Sequence, residues 1–140
     1  MFKKIKKSFM GLNNTDRNAL IDIYLERCFN TLRDADTAIS FGRWNMAANR
    51  IYYSVFYAVS ALFIKDGNPI KSHRGAKAVL NKEYVLKGKI DKEDARFFAQ
   101  LETLRDKADY NVIFEASKEE IMEHRPKVDD FIATIKKMLE

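Results

Sequence analysis

Two arginines stand at positions where a helical pattern calls for apolar side chains. Arg105 lies on an apolar stripe of one predicted helix, and Arg50 is the only charged residue inside another. Burying a guanidinium without partners is costly, so each needs a carboxylate, a carbonyl or a bound anion. One interpretation is an internal pair of Arg50 or Arg105 with Asp109, which would fix the register of the helices. The other is a phosphate-binding cleft, for which the arginine fork is well suited.

The two histidines are the side chains that titrate nearest to neutral pH. His73 stands at the start of a short predicted helix, beside Arg74, where a surface or capping role is the simpler interpretation. His124 lies near the inward side of the last predicted helix. Tyr52 and Tyr53 are predicted to serve in packing.

The motifs of metal and cofactor sites are absent from the sequence. It has no glycine-rich phosphate loop, no paired-cysteine spacing and no HExxH helix. With two histidines and one cysteine, Cys28, the ligands for a structural zinc site are too few. We therefore predict no metal and no cofactor. The single cysteine and the lack of an evident signal peptide predict a cytoplasmic protein.

The net charge of +5 comes mainly from the start of the chain, where Lys3, Lys4, Lys6 and Lys7 supply four positive charges. The other 21 basic residues face 20 acidic ones, so a broad basic face for nucleic acid is not expected. Residues 1–13 are predicted to be a basic extension, which could touch RNA, an acidic partner or a membrane surface but is more simply a solubilising segment. The longest uncharged stretch, 51–64, is shorter than the roughly 20 residues of a membrane span.

Periodicity and end signals predict five helices in residues 14–140, and hence an all-α, up-and-down bundle of four to five helices. Glycine and proline are scarce, at 5 and 2 of 140 residues, as is typical of long helices with short turns. The predicted helices start near Asn14 or Thr15, Arg43, Ser72, Asp91 and Ser117, the last with a capping box to Glu120. Residues 109–116 are predicted to be a loop. Pro126 is expected to kink the last helix or to delay its regular part.

Three segments resemble the HEPN domain proteins of prokaryotes. N-R-I-Y-Y-S-V-F-Y-A from Asn49 to Ala58 is similar to the signature of the central helix in one branch of that family. K-S-H-R-G from Lys71 to Gly75 and R-D-K-A-D-Y from Arg105 to Tyr110 match two further segments of the branch. All three occur in the expected order, and the resemblance spans 16–139.

The resemblance implies a helical bundle that commonly forms a homodimer. It implies a minimal nucleotidyltransferase as partner in a toxin–antitoxin pair, and a nucleotide or RNA as ligand. Surplus aromatic surface at Trp44, Phe63 and Phe114 is expected to support the dimer. Many HEPN proteins are metal-independent ribonucleases, in which an arginine and a histidine separated by four to six residues form the cleavage site at the dimer interface.

This sequence departs from that pattern, because the positions for the histidine hold Tyr110, Asn111 and Val112. Arg105 could still stabilise charge on a phosphate during attack by a 2′-hydroxyl. Tyrosine titrates near 10, so the general base is missing unless the fold brings His73 to the cleft.

The leading hypothesis is a HEPN protein of a toxin–antitoxin or defence system that binds nucleotide or RNA. The predicted binding residues are Arg50, Tyr53, His73, Arg74, Arg105, Asp109 and Tyr110. The alternatives are a metal-independent endoribonuclease that uses Arg105 with Tyr110 or His73, and a non-catalytic dimerising scaffold.

Overall fold

The computed structural model describes residues 13–68 and 72–140. The helices are α1 (Asn14–Ser40), α2 (Trp44–Asp66), α3 (His73–Leu80), α4 (Lys92–Tyr110) and α5 (Lys118–Leu139), with a π-helical turn, Asn81–Val85, directly after α3. No strand occurs in these two ranges. The predicted all-α bundle is therefore confirmed. The predicted extension lies outside the described residues except for Asn13.

Side-chain caps begin three of the helices. The Asn13 side chain accepts a hydrogen bond from the Asp16 amide at 2.8 Å, and α1 begins at Asn14, one of the two predicted start positions. Ser72 accepts one from the Gly75 amide at 2.9 Å. The Ser117 hydroxyl accepts one from the Glu120 amide at 3.1 Å, as the capping box predicts. These bonds satisfy amides that the first turn of a helix leaves without partners.

α2 is the central helix, with α1, α4 and α5 packed around it. It buries residues on most of its circumference, including Tyr52, Val55 and Phe63. The turn between α1 and α2 requires a glycine, because Gly42 has a φ of +66°, which side chains with a Cβ rarely adopt. That tight turn sets α1 and α2 side by side as an antiparallel hairpin.

α3 is fastened to the end of α2 by a buried tyrosine. The Tyr84 hydroxyl in the π-helical turn donates to Asp66 Oδ2 at 2.6 Å and accepts from Asn68 Nδ2 at 3.1 Å. The Tyr84 ring stacks on Phe63, with 5.6 Å between the ring centroids. The π-helical turn that follows α3 is thus joined to the end of α2. At the start of α3, His73 lies against Tyr52 of α2.

The structure differs from the predicted helix bounds at two places. α4 continues through Tyr110, so the first two residues of the predicted loop are helical. α5 is helical from Lys118 through Pro126, so its regular part is not delayed. Proline has no amide N–H, so the Met122 carbonyl lacks its usual hydrogen bond from residue 126. Met122 and Pro126 are both exposed. Water can therefore satisfy that carbonyl.

The aromatic surface expected at Trp44, Phe63 and Phe114 is wrong for Phe63, which is fully buried, while the other two are half-buried. The structure exposes other apolar side chains at Phe41, Met46, Val112 and Ile113.

Within the described part of the chain, no helix has the length and apolar character to cross a membrane.

Candidate functional site

The Arg105 side chain points into the interface between α4 and α2. The residue is only 6% exposed. Its Cζ atom lies 4.8 Å from the Tyr52 ring centroid and 5.5 Å from that of Tyr53. The faces of two neighbouring aromatic rings therefore attract the buried cation. The expectation that Arg105 points into the bundle is confirmed.

The hydrogen bonding of the Arg105 guanidinium is incomplete. Nη2 pairs with Asp106 Oδ1 at 2.9 Å, and Nη1 donates to the Tyr53 hydroxyl at 3.4 Å. Nε is buried without a hydrogen-bond partner among the described residues. The Asp106 carboxylate is 51% exposed, so water weakens its attraction to the cation. The guanidinium thus keeps capacity for a further acceptor.

The predicted pair of Arg50 or Arg105 with Asp109 is wrong. Asp109 Oδ2 instead accepts from Asn49 Nδ2 at 2.9 Å, and Asn49 Oδ1 accepts from Arg50 Nε at 2.9 Å. Asn49 thus bridges Arg50 and the carboxylate. Arg50 Cζ lies 5.5 Å from the Tyr53 ring centroid, so both arginines contact the same tyrosine.

His73 is brought into this group by the packing of α3. Its Nδ1 lies 3.0 Å from the Tyr52 hydroxyl oxygen, and its ring centroid is 4.4 Å from that of Phe56. The Tyr53 ring approaches edge-on at 5.5 Å between centroids. The fold therefore places the histidine of the K-S-H-R-G segment next to the two tyrosines that support Arg105.

Burial lowers the pKa of His73 below its ordinary value of 6.5, and the Arg105 cation lowers it further. The carboxylates of Glu102 and Asp106 act in the opposite direction without reversing the shift. Burial also raises the pKa of the Tyr52 phenol, so this group stays protonated at neutral pH. At pH 7 the site therefore contains a neutral imidazole hydrogen-bonded to a neutral phenol, and the tautomer of His73 decides which of the two donates.

Glu102 is a member of the site that the sequence analysis missed. It is 7% exposed, and its Oε1 lies 3.4 Å from Lys77 Nζ on α3. Oε2 is buried and has no hydrogen-bond partner within the described ranges. Its position in the sequence could have indicated this, because Glu102 precedes Arg105 by three residues and the two therefore share one side of α4. We use the name Arg105 cluster for Arg105, Tyr52, Tyr53, His73, Glu102 and Asp106.

The predicted site residues fall into two groups. Arg50, Tyr53, His73 and Arg105 are in or against the Arg105 cluster, and Asp109 is joined to Arg50 through Asn49. Tyr110 is 75% exposed at the end of α4, and Arg74 is exposed on the first turn of α3. Among the described residues, no hydrogen bond, ion pair or ring contact joins the side chain of either residue to the cluster. The described residues also contain no group of three or more side chains that could hold a metal ion.

The sequence profile of the HEPN domain matches residues 21–138. A UPF0332 protein of Thermotoga maritima is 32% identical over 125 residues, which are 89% of this chain and 95% of that protein. A protein of Methanocaldococcus jannaschii, named as a candidate toxin, is 32% identical over 97 residues, or 69% of this chain and 65% of its own length.

Among solved structures, a crystal structure of a Thermus thermophilus protein has a TM-score of 0.71 to this chain. It is 14% identical, and the match covers 84% of this chain and 97% of that one. At this identity the likeness supports the helical bundle alone.

The first prediction concerns the pKa of His73, which an NMR titration of the imidazole should place below 6.5. Glu102→Gln removes a negative charge beside the ring and should lower this pKa further. Glu93→Gln is the matched control, because Glu93 is exposed on the same helix and pairs with Arg96. A His73 pKa above 6.5, or equal responses to the two substitutions, would contradict the described site.

Proposed function

The chain belongs to the HEPN domain family, and on that premise we propose that it binds the phosphate of a nucleotide or of RNA at the Arg105 cluster. We also propose that it acts in a toxin–antitoxin or defence system with a minimal nucleotidyltransferase and forms a homodimer. The toxin-like role is supported by the relative named as a candidate toxin. The nucleotidyltransferase and the homodimer follow from what the family resemblance implies.

The observation that carries the binding proposal is the incomplete pairing of the buried Arg105 guanidinium. Its Nε has no hydrogen-bond partner among the described residues, and its Nη2 contacts a half-exposed carboxylate. Buried polar groups are nearly always satisfied, and a guanidinium accommodates two phosphate oxygens at once. The Asp106 carboxylate marks the position of one anionic oxygen. Rotation of this half-exposed side chain would open that position to a phosphate.

A second cation, Arg50, contacts the same tyrosine as Arg105. Arg50 Cζ and Arg105 Cζ each lie 5.5 Å from the Tyr53 ring centroid, so they are at most about 11 Å apart. Two cations at this spacing can contact neighbouring phosphates of one ligand. That arrangement favours a polyphosphate or a nucleic acid strand over a single small anion.

The second prediction concerns affinity for single-stranded RNA and for ADP, measured by fluorescence anisotropy. Arg105→Lys keeps the charge but loses the fork, and it should weaken binding about tenfold, or about 1.4 kcal/mol. Arg50→Ala should also weaken it and reduce the salt dependence. Arg96→Ala is the charge-matched control, because Arg96 is exposed and pairs with Glu93, and it should leave affinity unchanged.

Equal affinity of Arg105→Lys and the wild type would contradict phosphate binding at this cluster. If Arg105→Lys lowered the melting temperature by several degrees without changing binding, the cluster would serve only to order the bundle. The protein would then act as a non-catalytic scaffold.

The position of His73 favours a second candidate function, that of a metal-independent endoribonuclease. In the tautomer that carries its proton on Nδ1, His73 donates to the Tyr52 oxygen, and the lone pair on Nε2 can remove the proton of a 2′-hydroxyl. The 2′-oxygen attacks the adjacent phosphorus, Arg105 stabilises the charge that develops, and the 5′-oxygen leaves with a proton from water. The lowered pKa of His73 keeps the base unprotonated at neutral pH.

The third prediction applies to this enzymatic candidate. The purified protein should cut single-stranded RNA in EDTA, leaving 2′,3′-cyclic phosphate ends. His73→Gln should reduce the rate about 100-fold or more, the usual contribution of a general base. The rate should fall as the pH drops through the pKa of His73, below 6.5. Equal activity of His73→Gln and the wild type would mean a contaminating nuclease and remove this candidate.

A further inference from the structure

A groove of about 630 Å³ opens at the turn between α1 and α2. Its apolar lining includes Phe41 and Met46, which are 75% and 58% exposed. Its polar lining includes Asp34, Thr37, Arg43 and Arg50. A groove that combines an exposed aromatic ring with two cations is unusual for a surface that contacts only solvent.

The groove is continuous with the surroundings of the Arg105 cluster, because Arg50 takes part in both. Arg50 lines the groove, while its Cζ lies 5.5 Å from the Tyr53 ring centroid and its Nε donates to Asn49 at 2.9 Å. Tyr53 in turn accepts from Arg105 Nη1. If Arg50 binds a phosphate of a ligand, the part of the ligand next to that phosphate would therefore lie at the mouth of this groove.

We infer that the groove is a base-binding subsite, in which Phe41 stacks on an unpaired base of the RNA whose phosphate Arg50 holds. This inference rests on the proposed phosphate-binding function and deepens it by naming single-stranded RNA as the ligand. Recognition of single strands commonly combines cations along the backbone with aromatic side chains that stack on splayed-out bases. Phe41 and Arg50 supply these two elements.

The polar lining fits the edge of a base. Asp34, Thr37 and Phe41 recur at steps of three and four, so they share one face at the end of α1. The Asp34 carboxylate accepts hydrogen bonds, and the Thr37 hydroxyl, which donates to the Arg33 carbonyl, can still accept one. A stacked base would direct its N–H groups toward these acceptors, whereas a purely apolar partner would leave them unpaired.

A second copy of this chain is the competing occupant. The apolar part of the groove consists of two large side chains between charged residues, which is small beside the apolar centre of a stable dimer interface. The charge also favours RNA, since two arginines line the groove against one carboxylate.

The fourth prediction compares two RNA oligonucleotides of equal length and charge. One is intact, and the other has the same sugar-phosphate backbone without the bases. The wild type should bind the intact strand about tenfold more tightly, since each stacked base contributes about that factor. Phe41→Ala should bind the intact strand only as tightly as the abasic one, while its abasic affinity stays unchanged. Phe41→Trp should restore the preference.

Leu86→Ala is the matched control, because Leu86 is 80% exposed and lies far from the groove in sequence. It should keep the preference of the wild type. Arg50→Ala should lower the affinity for both strands by the same factor, because it removes a phosphate contact and keeps the stacking ring of Phe41.

The outcomes separate this inference from the proposed function. Wild-type binding to both strands with equal affinity would overturn the base subsite and leave phosphate binding intact. Binding to neither strand would overturn both. If sedimentation showed that Phe41→Ala converts a dimer to a monomer, the groove would be an interface between copies and the base subsite would be overturned.

Discussion

A guanidinium confined between packed helices is the constraint on which this structure depends. Arg105 lies on α4 against α2, where it is nearly removed from water. A buried cation without compensation costs several kcal/mol, so the surroundings must supply attraction. They do so with the faces of Tyr52 and Tyr53 and with the carboxylate of Asp106. A desolvated cation–π contact contributes about 2 kcal/mol, so the two rings provide a large part of that compensation.

The same side chains that compensate Arg105 also locate the remaining members of the site. The hydroxyl of Tyr52 meets Nδ1 of His73, so the tyrosine that supports the cation also orients the imidazole. Glu102 pairs with Lys77 and thereby ties α4 to α3. Residues of α2, α3 and α4 therefore meet around the Arg105 cation. The opposing influences of Arg105 and Glu102 on the pKa of His73 follow from this convergence.

The sequence predicted the helices, and the inward direction of Arg105, because those features depend on local periodicity and capping. It could not predict the partner of Arg105, because Asp109 is occupied by Asn49, a residue 60 positions away whose approach depends on how α2 crosses α4. Glu102 was missed because a carboxylate on a charged helix is usually solvated, whereas its burial and its pairing with Lys77 of α3 depend on tertiary packing. The motif segments did point to His73, but its contact with Tyr52 required the tertiary structure.

The most direct measurement of the central claim is an NMR titration that follows the Arg105 Nε–H resonance as inorganic phosphate or AMP is added. Because Nε is buried and has no hydrogen-bond partner among the described residues, its proton should exchange slowly with water. Its signal should shift saturably with the ligand, while the signal of the exposed Arg96 stays in place. Fast exchange, with no ligand-dependent shift of Arg105 relative to Arg96, would contradict a buried guanidinium that receives a phosphate.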